Sequence, residues 1–274
     1  MKAPKFAAPR GGSDKAAAVL DFVRDTLALA DVELRKLRRD PAELLTRAIQ
    51  PALWLLVFGQ VFGRIKAIPT GQLDYETFMA PGILAQSVLF IAIFYGISVI
   101  WERDLGILQK LLVSPAPRTA LVLGKALSAG VRGLAQGIII YLLALLLGIH
   151  LSFSAAHIAG VIGFIVLGSA LFSTFSLAVA CLVKTRERFM GIGQVLTMPL
   201  FFASNAIYPI ASMPGWVRAV AKVNPLSYEV DALRSLMVQG GQPVFGVGHD
   251  SAVLFLVLAA LVVVTARLYP NVVS

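Results

Sequence analysis

Several things are scarce in this chain. One cysteine in 274 residues, Cys181, leaves no disulfide to form within the chain and leaves the redox compartment open. Histidine is nearly as rare, and His150, His157 and His249 have no spacing that suggests a metal site. Charged residues make up only 14% against 58% hydrophobic ones, too little polar surface to cover a water-soluble globule. The long apolar runs hold no mid-run Asp, Glu or Lys, so the sequence shows no deeply buried acid or base and argues against an ion-coupled carrier. No G-x-x-x-x-G-K-[ST] loop is present to wrap phosphates.

What is there is apolar length. Six runs, approximately Ala48 to Phe62, Phe78 to Ile100, Leu121 to Ile149, Ala155 to Val183, Met190 to Ile210 and Ala252 to Leu268, can each cross a hydrocarbon core of about 30 Å with their flanking residues. The expected fold is therefore all-α and polytopic, with one membrane domain over residues 41–274. Basic residues gather in alternate gaps. The amino-terminal segment, the gap with Arg103, Lys110 and Arg118, and the gap with Lys184, Arg186 and Arg188 are the rich ones, which puts both termini in the cytoplasm. The net charge of +9 sits at span ends, where anionic lipid headgroups are the partner and nucleic acid is not. The first apolar run follows more than forty mostly polar residues, so the sequence does not open on a cleavable signal.

Three segments outside the spans carry further patterns. After a flexible start over 1–13, Val19, Val23, Leu27, Ala30, Leu34 and Leu37 recur at helical steps, predicting an amphipathic interfacial helix over 14–40 that docks on lipid or on a partner subunit. The stretch 101–115 predicts a short cytoplasmic helix whose stripe of Leu105, Leu108, Leu111 and Leu112 must be buried, against its own spans or in a partner's groove. The segment 211–240 predicts two short helices. Ser212 caps the first and Asn224, followed by Pro225, caps the second, whose apolar face is Leu226, Val230, Leu233 and Met237. Asp231 and Arg234 are spaced to pair, and Gly240-Gly241-Gln242-Pro243 predicts a flexible joint to the last span. Inside the spans, Gln194, Thr197, Phe201, Ser204 and Asn205 share one side of the fifth, and Gln60, Gln86, Phe90, Phe94 and Gln136 add polar or aromatic groups elsewhere. Buried amides in lipid have to meet another helix or a cavity.

Two of these segments carry a family likeness. Glu102-Arg103-Asp104-Leu105-Gly106-Ile107-Leu108, then Leu111-Leu112-Val113-Ser114-Pro115 and Leu123-Gly124-Lys125, closely resembles the permease of type-2 ABC exporters, whose usual form is near E-R-E-x-G-T-L-E-x-L-L-V-S-P with a later L-G-K. Met213-Pro214-Gly215-Trp216, Asn224-Pro225-Leu226-Ser227-Tyr228 and Asp231-Ala232-Leu233-Arg234 are similar to the extracellular segment of that family, particularly its drug-resistance branch. Asp104 and Ile107 depart from the commoner Glu and Thr without disturbing the helical stripe.

The resemblance implies a permease without ATPase activity of its own, in the bacterial cytoplasmic membrane. Two separate ABC ATPase subunits would hold ATP and magnesium, and a second permease copy would complete the pathway. It further implies that Glu102, Arg103, Leu105, Leu108 and Leu111 couple to the ATPase. Gln86, Phe90 and Phe94, with Gln194, Thr197, Phe201 and Asn205, would face the substrate path, and Trp216, Asn224, Pro225, Tyr228 and Asp231 would belong to an extracellular lid of re-entrant helices. The expected cargo is an amphipathic, weakly charged molecule such as a drug-like natural product or a lipid. Lipid-linked oligosaccharide is the alternative.

Overall fold

The computed structural model describes residues 46, 49–66, 68–95, 100, 101, 105, 118–183 and 185–268. Among them the regular elements are helices, apart from one isolated antiparallel bridge between Leu151 and Val238. In chain order they are α1 (Ile49–Ile65), α2 (Tyr75–Tyr95), α3 (Arg118–Leu146), α4 (Ala155–Leu182), α5 (Arg186–Phe202), α6 (Gly215–Val223), α7 (Pro225–Met237) and α8 (Val247–Leu268). Part of α1, Trp54–Gly59, is wound as a π-helix.

α2, α4, α8 and the Val122–Leu146 portion of α3 are long and apolar enough to cross a membrane, and α1 is apolar but shorter. The protein is therefore a polytopic helical membrane protein. The helix expected over 14–40, the flexible start 1–13 and most of the helix expected over 101–115 lie outside the described residues.

α4 is the centre of the bundle, packing on α2, α3, α7 and α8. Its neighbours follow from small residues. A methyl group on Gly133 of α3 would meet the Ser169 hydroxyl, and one on Gly82 of α2 would lie 2.4 Å from the Ala206 carbonyl oxygen, so larger side chains there would push the helices apart. The main core cluster runs through α2, α4 and α7, with Phe172, Met79, Ile83, Leu84 and Leu233 fully or almost fully enclosed.

Two expectations change. The fifth apolar run was expected to reach Ile210, but α5 stops at Phe202. Pro199 lies in its last turn, the Nδ2 of Asn224 takes the carbonyls of Leu200 and Ala203, and the chain then turns across Gly82. The joint at 240–243, where a flexible link was expected, is held at both ends, the Gly241 N–H donating to the Val238 carbonyl at 3.2 Å and the Val244 N–H to the Asp231 carboxylate at 2.8 Å, and the residues before it are tied down as well. The N–H of Gln239 donates to the His150 carbonyl at 3.0 Å, its side-chain amide donates to the Leu151 carbonyl at 2.9 Å, and the N–H of Ser152 donates to the Met237 carbonyl at 2.8 Å.

Candidate functional site

α1, α2 and α3 border a half-open cavity of about 300 Å³, lined by Thr46, Gln50 and Pro51 from the start of α1 and its approach, by Gln86, Ser87, Phe90, Ile91 and Phe94 from α2, and by Gln136 from α3. Helical geometry selects the α2 residues. Gln86, Phe90 and Phe94 are four apart and share a face, with Ser87 and Ile91 beside them. The rings of Phe90 and Phe94 stack with centroids 6.3 Å apart and planes 25° from parallel.

The polar groups here behave differently from one another. Ser87 donates to the Ile83 carbonyl of its own helix at 2.8 Å and is satisfied. Gln136 is 1% exposed, and neither its oxygen nor its nitrogen has a hydrogen-bond partner among the described residues. One turn earlier on α3, Arg132 lays its guanidinium over the Tyr95 ring at 5.3 Å and does not line the cavity.

A second polar layer surrounds α7. This helix is buried along most of its length between α2, α4 and α8, including residues that its sequence makes polar or charged. Asn224 caps it by accepting from the Leu226 N–H at 3.0 Å while its Nδ2 donates to Leu200 at 2.7 Å, so one side chain closes the end of α5 and opens α7. Asp231 accepts from the N–H groups of Val244 and Phe245, each at 2.8 Å. Arg234 donates through Nε to the Phe78 carbonyl at 3.2 Å and through Nη2 to the Asn205 carbonyl at 2.6 Å, with its guanidinium 3.8 Å from the Phe78 ring centroid. Asp231 and Arg234, expected to pair with each other, thus turn to separate partners, although the Asp231 charge still favours the guanidinium. Burial lowers Arg234 to about 10.

Glu229 stands apart in that layer. It is fully buried, its two oxygens have no partner, and they press on α4, where a methyl group on Gly168 would come within 2.1 Å of one of them. Burial pushes its carboxyl well above the ordinary carboxylate range, which keeps it protonated and neutral. Asp250 of α8 is also fully enclosed. The apolar runs suggested no deeply buried acid; among the described residues the structure encloses three, Glu229 and Asp231 because α7 is taken into the bundle, and Asp250 at the start of α8.

Of the residues expected on the substrate path, Gln86, Phe90 and Phe94 meet in the cavity. The fifth-span residues do not. Gln194 is exposed, Thr197 is buried and donates to the Gly193 carbonyl of its own helix, Phe201 packs edge-on against Trp54 at 5.6 Å, and Asn205 is buried beyond the end of α5. Of the lid residues, Asn224, Tyr228 and Asp231 are buried, Pro225 is half-buried and Trp216 is exposed. Ser212 does not cap α6, whose N-cap is Pro214. Glu102, Arg103, Leu108 and Leu111 lie outside the described residues; Leu105 is exposed, and its N–H donates to the Trp101 carbonyl at 3.0 Å. Sequence reasoning missed Thr46 and Gln50 as cavity residues, and the available signal was an amide just inside the first apolar run.

Apolar helices long enough to cross a membrane, gathered beside a cavity with no charged side chain among its described lining residues, define a polytopic membrane protein. Residues 24–238 match the family model of the ABC-2 type transporter, and the chain belongs to that family as an ABC transporter permease. It is similar to ycf38 of Cyanophora paradoxa, which bears the name transport permease, at 30% identity over 217 residues covering 78% of this chain and 74% of that one. It is also similar to the daunorubicin resistance ABC transporter permease protein DrrB1 of Streptomyces coeruleorubidus, 27% identical over 84% of this chain and 81% of the relative. YbhR of Escherichia coli K12, named as a multidrug ABC transporter permease, is 27% identical over 61% of this chain and 45% of its own length.

Proposed function

We propose that this chain is the membrane-spanning subunit of an ATP-driven exporter that moves amphipathic small molecules, drug-like natural products or lipids, out across the bacterial cytoplasmic membrane. In this reading it crosses six times, α1 and α5 being the two short spans, with both termini cytoplasmic. The cavity between α1, α2 and α3 is the observation that carries the reading. Its stacked phenyl rings and carboxamides suit a molecule with one apolar and one weakly polar part. The drug-resistance and multidrug names of two relatives support that class of cargo.

Two ABC ATPase subunits bind ATP with magnesium, and their closure pushes the helix from Glu102 to Val113, seated through Glu102, Arg103, Leu105, Leu108 and Leu111. A second permease copy covers the apolar flank that α1 and α5 leave exposed at Leu53, Val57, Val61, Val195 and Phe202. The layer around α7, with Trp216 on its outer helix, closes the far end of the pathway as a lid.

Lipid-linked oligosaccharide export is a second reading, favoured by the run of rings Trp54, Phe58 and Phe62 along α1, on which sugars can stack. An ion-coupled carrier is the rival from another class.

Purification with the ATPase encoded beside it, followed by hydrolysis assays in lipid nanodiscs, tests the reading. Stable co-purification and vanadate-sensitive hydrolysis stimulated by amphipathic drugs or lipids is the expected result. Failure to bind an ATPase, with transport that follows a proton gradient, would overturn it. Leu108→Asp is expected to leave assembly intact and to lower stimulated transport about ten-fold or more while basal hydrolysis persists; full transport by the assembled variant would remove the coupling role.

A further inference from the structure

Among the described residues, the buried side-chain polar atoms left without partners are scattered over Tyr75, Tyr141, Ser169, Asn205, Ser227, Glu229, Asp250 and Gln136. Among them only Gln136 lines the cavity. An amide that merely ties two helices together would have its oxygen or nitrogen taken by a neighbouring helix, whereas both atoms of Gln136, though buried, have no partner among the described residues. A buried amide left in that state is costly, and a ligand that completes it recovers that cost.

We propose that Gln136 is a specificity-determining residue that reads an uncharged headgroup in this cavity, one able to donate and accept a hydrogen bond at the same atom or group. The inference rests on the cavity being the substrate site. The chemistry follows from the side chain itself, since its oxygen accepts and its nitrogen donates. A hydroxyl or a carboxamide satisfies both. A phosphate or carboxylate only accepts and sets negative charge against Oε1, while a quaternary ammonium offers no donor and would meet no anion among the described lining residues.

The rest of the lining agrees. Gln50 and Gln86 add amides and no charge, Ser87 is already satisfied, and Phe90 with Phe94 provides a flat apolar wall. The nearest basic group along α3, Arg132, rests on Tyr95 outside the lining. The volume, about 300 Å³, is at the low end for small-molecule sites, so the cavity holds a headgroup and leaves the hydrophobic part of a larger amphiphile to the lipid or the wider pathway.

The test uses the full chain in phosphatidylcholine nanodiscs without ATP and four amphiphiles on one fluorescent twelve-carbon chain, ending in glucose, a primary carboxamide, phosphate or trimethylammonium. Wild type is expected to bind the glucose or the carboxamide probe at least ten-fold more tightly than either charged probe, and the tighter of the two neutral probes identifies the source of the paired donor and acceptor. Gln136→Leu is expected to erase that preference while the thermal midpoint holds or rises, because an unpaired amide has been replaced by an apolar side chain. Phe94→Leu is expected to weaken all four probes together and keep the preference.

Equal binding of the four probes, tighter binding of a charged one, or a preference that survives Gln136→Leu overturns the inference. So does a preference lost together with a fall in thermal midpoint, which marks a structural amide. Amphiphile-stimulated hydrolysis by the complex reports on the export reading separately, so its persistence beside any of these results leaves that reading standing and removes only the headgroup role.

Discussion

Around α7 most polar groups have been given partners, whereas in the cavity between α1, α2 and α3 the central amide has none. Asp231, Arg234 and Asn224 each close two or more hydrogen bonds to backbone groups from distant parts of the chain. Gln136, buried like them, closes none among the described residues. Inside a membrane protein an unpaired polar group is expensive, so side chains wired into the backbone, as Asp231, Arg234 and Asn224 are, belong to the fold, and an unpaired amide beside a cavity is available for a ligand. Glu229 belongs to a third kind. It has no partner and no cavity, and it is tolerated because it carries a proton in place of a charge.

The wired side of this comparison breaks most readily at Asp231. Asp231→Ala strands the N–H groups of Val244 and Phe245 and is expected to cost about 3 kcal/mol or more, seen as a fall of several degrees in thermal midpoint in nanodiscs. A midpoint unchanged within a degree would mean that the layer contributes nothing to the fold. Gly168→Ala is expected to cost about 1–3 kcal/mol by driving a methyl group into the Glu229 carboxyl, and Glu229→Ala in the same chain should relieve much of it. A double-mutant cycle with no coupling would show that the two residues do not meet. Asn224→Ala removes one cap from each of two helices and is expected to cost about 1–2 kcal/mol by the same thermal measurement.

The smallest effect sharpens the third class, and its sign depends on pH. The folded carboxyl of Glu229 keeps its proton where the unfolded chain, near the ordinary value of 4.5, has already released it. Stability from this group is complete below that pH and declines as pH rises toward the folded value. Glu229→Gln has no proton to lose, so it should raise the thermal midpoint at pH 8 and leave it nearly unchanged at pH 5. An identical shift at both pH values would place Glu229 in contact with water.

Much of α7 was readable before its surroundings were known. The Asn224-Pro225 start and the face of Leu226, Val230, Leu233 and Met237 depend on residues a turn apart, and local spacing records them. That the opposite face is buried as well depends on α2, α4 and α8 closing around it, and no period within thirteen residues encodes that. The end of α5 escaped for the same reason, since the group that takes its last carbonyls comes from Asn224. In the cavity, the four-residue spacing of Gln86, Phe90 and Phe94 was visible as a face, but Gln50 and Gln136 join it only through packing of three helices. Whether an amide finds a partner is settled by distances between segments, and a sequence gives only its presence.

The double role of Asn224 has a mechanical side. Because its amide nitrogen holds the last turn of α5 while its oxygen holds the first turn of α7, those helices share a joint that resists being pulled open. A tilt of α5 therefore either breaks the two hydrogen bonds from the Asn224 amide nitrogen or hauls α7 along with it. α7 is wedged between α2, α4 and α8, so a force applied at the start of α5, near Thr185, arrives at the opposite end of the bundle as leverage on its most tightly enclosed helix.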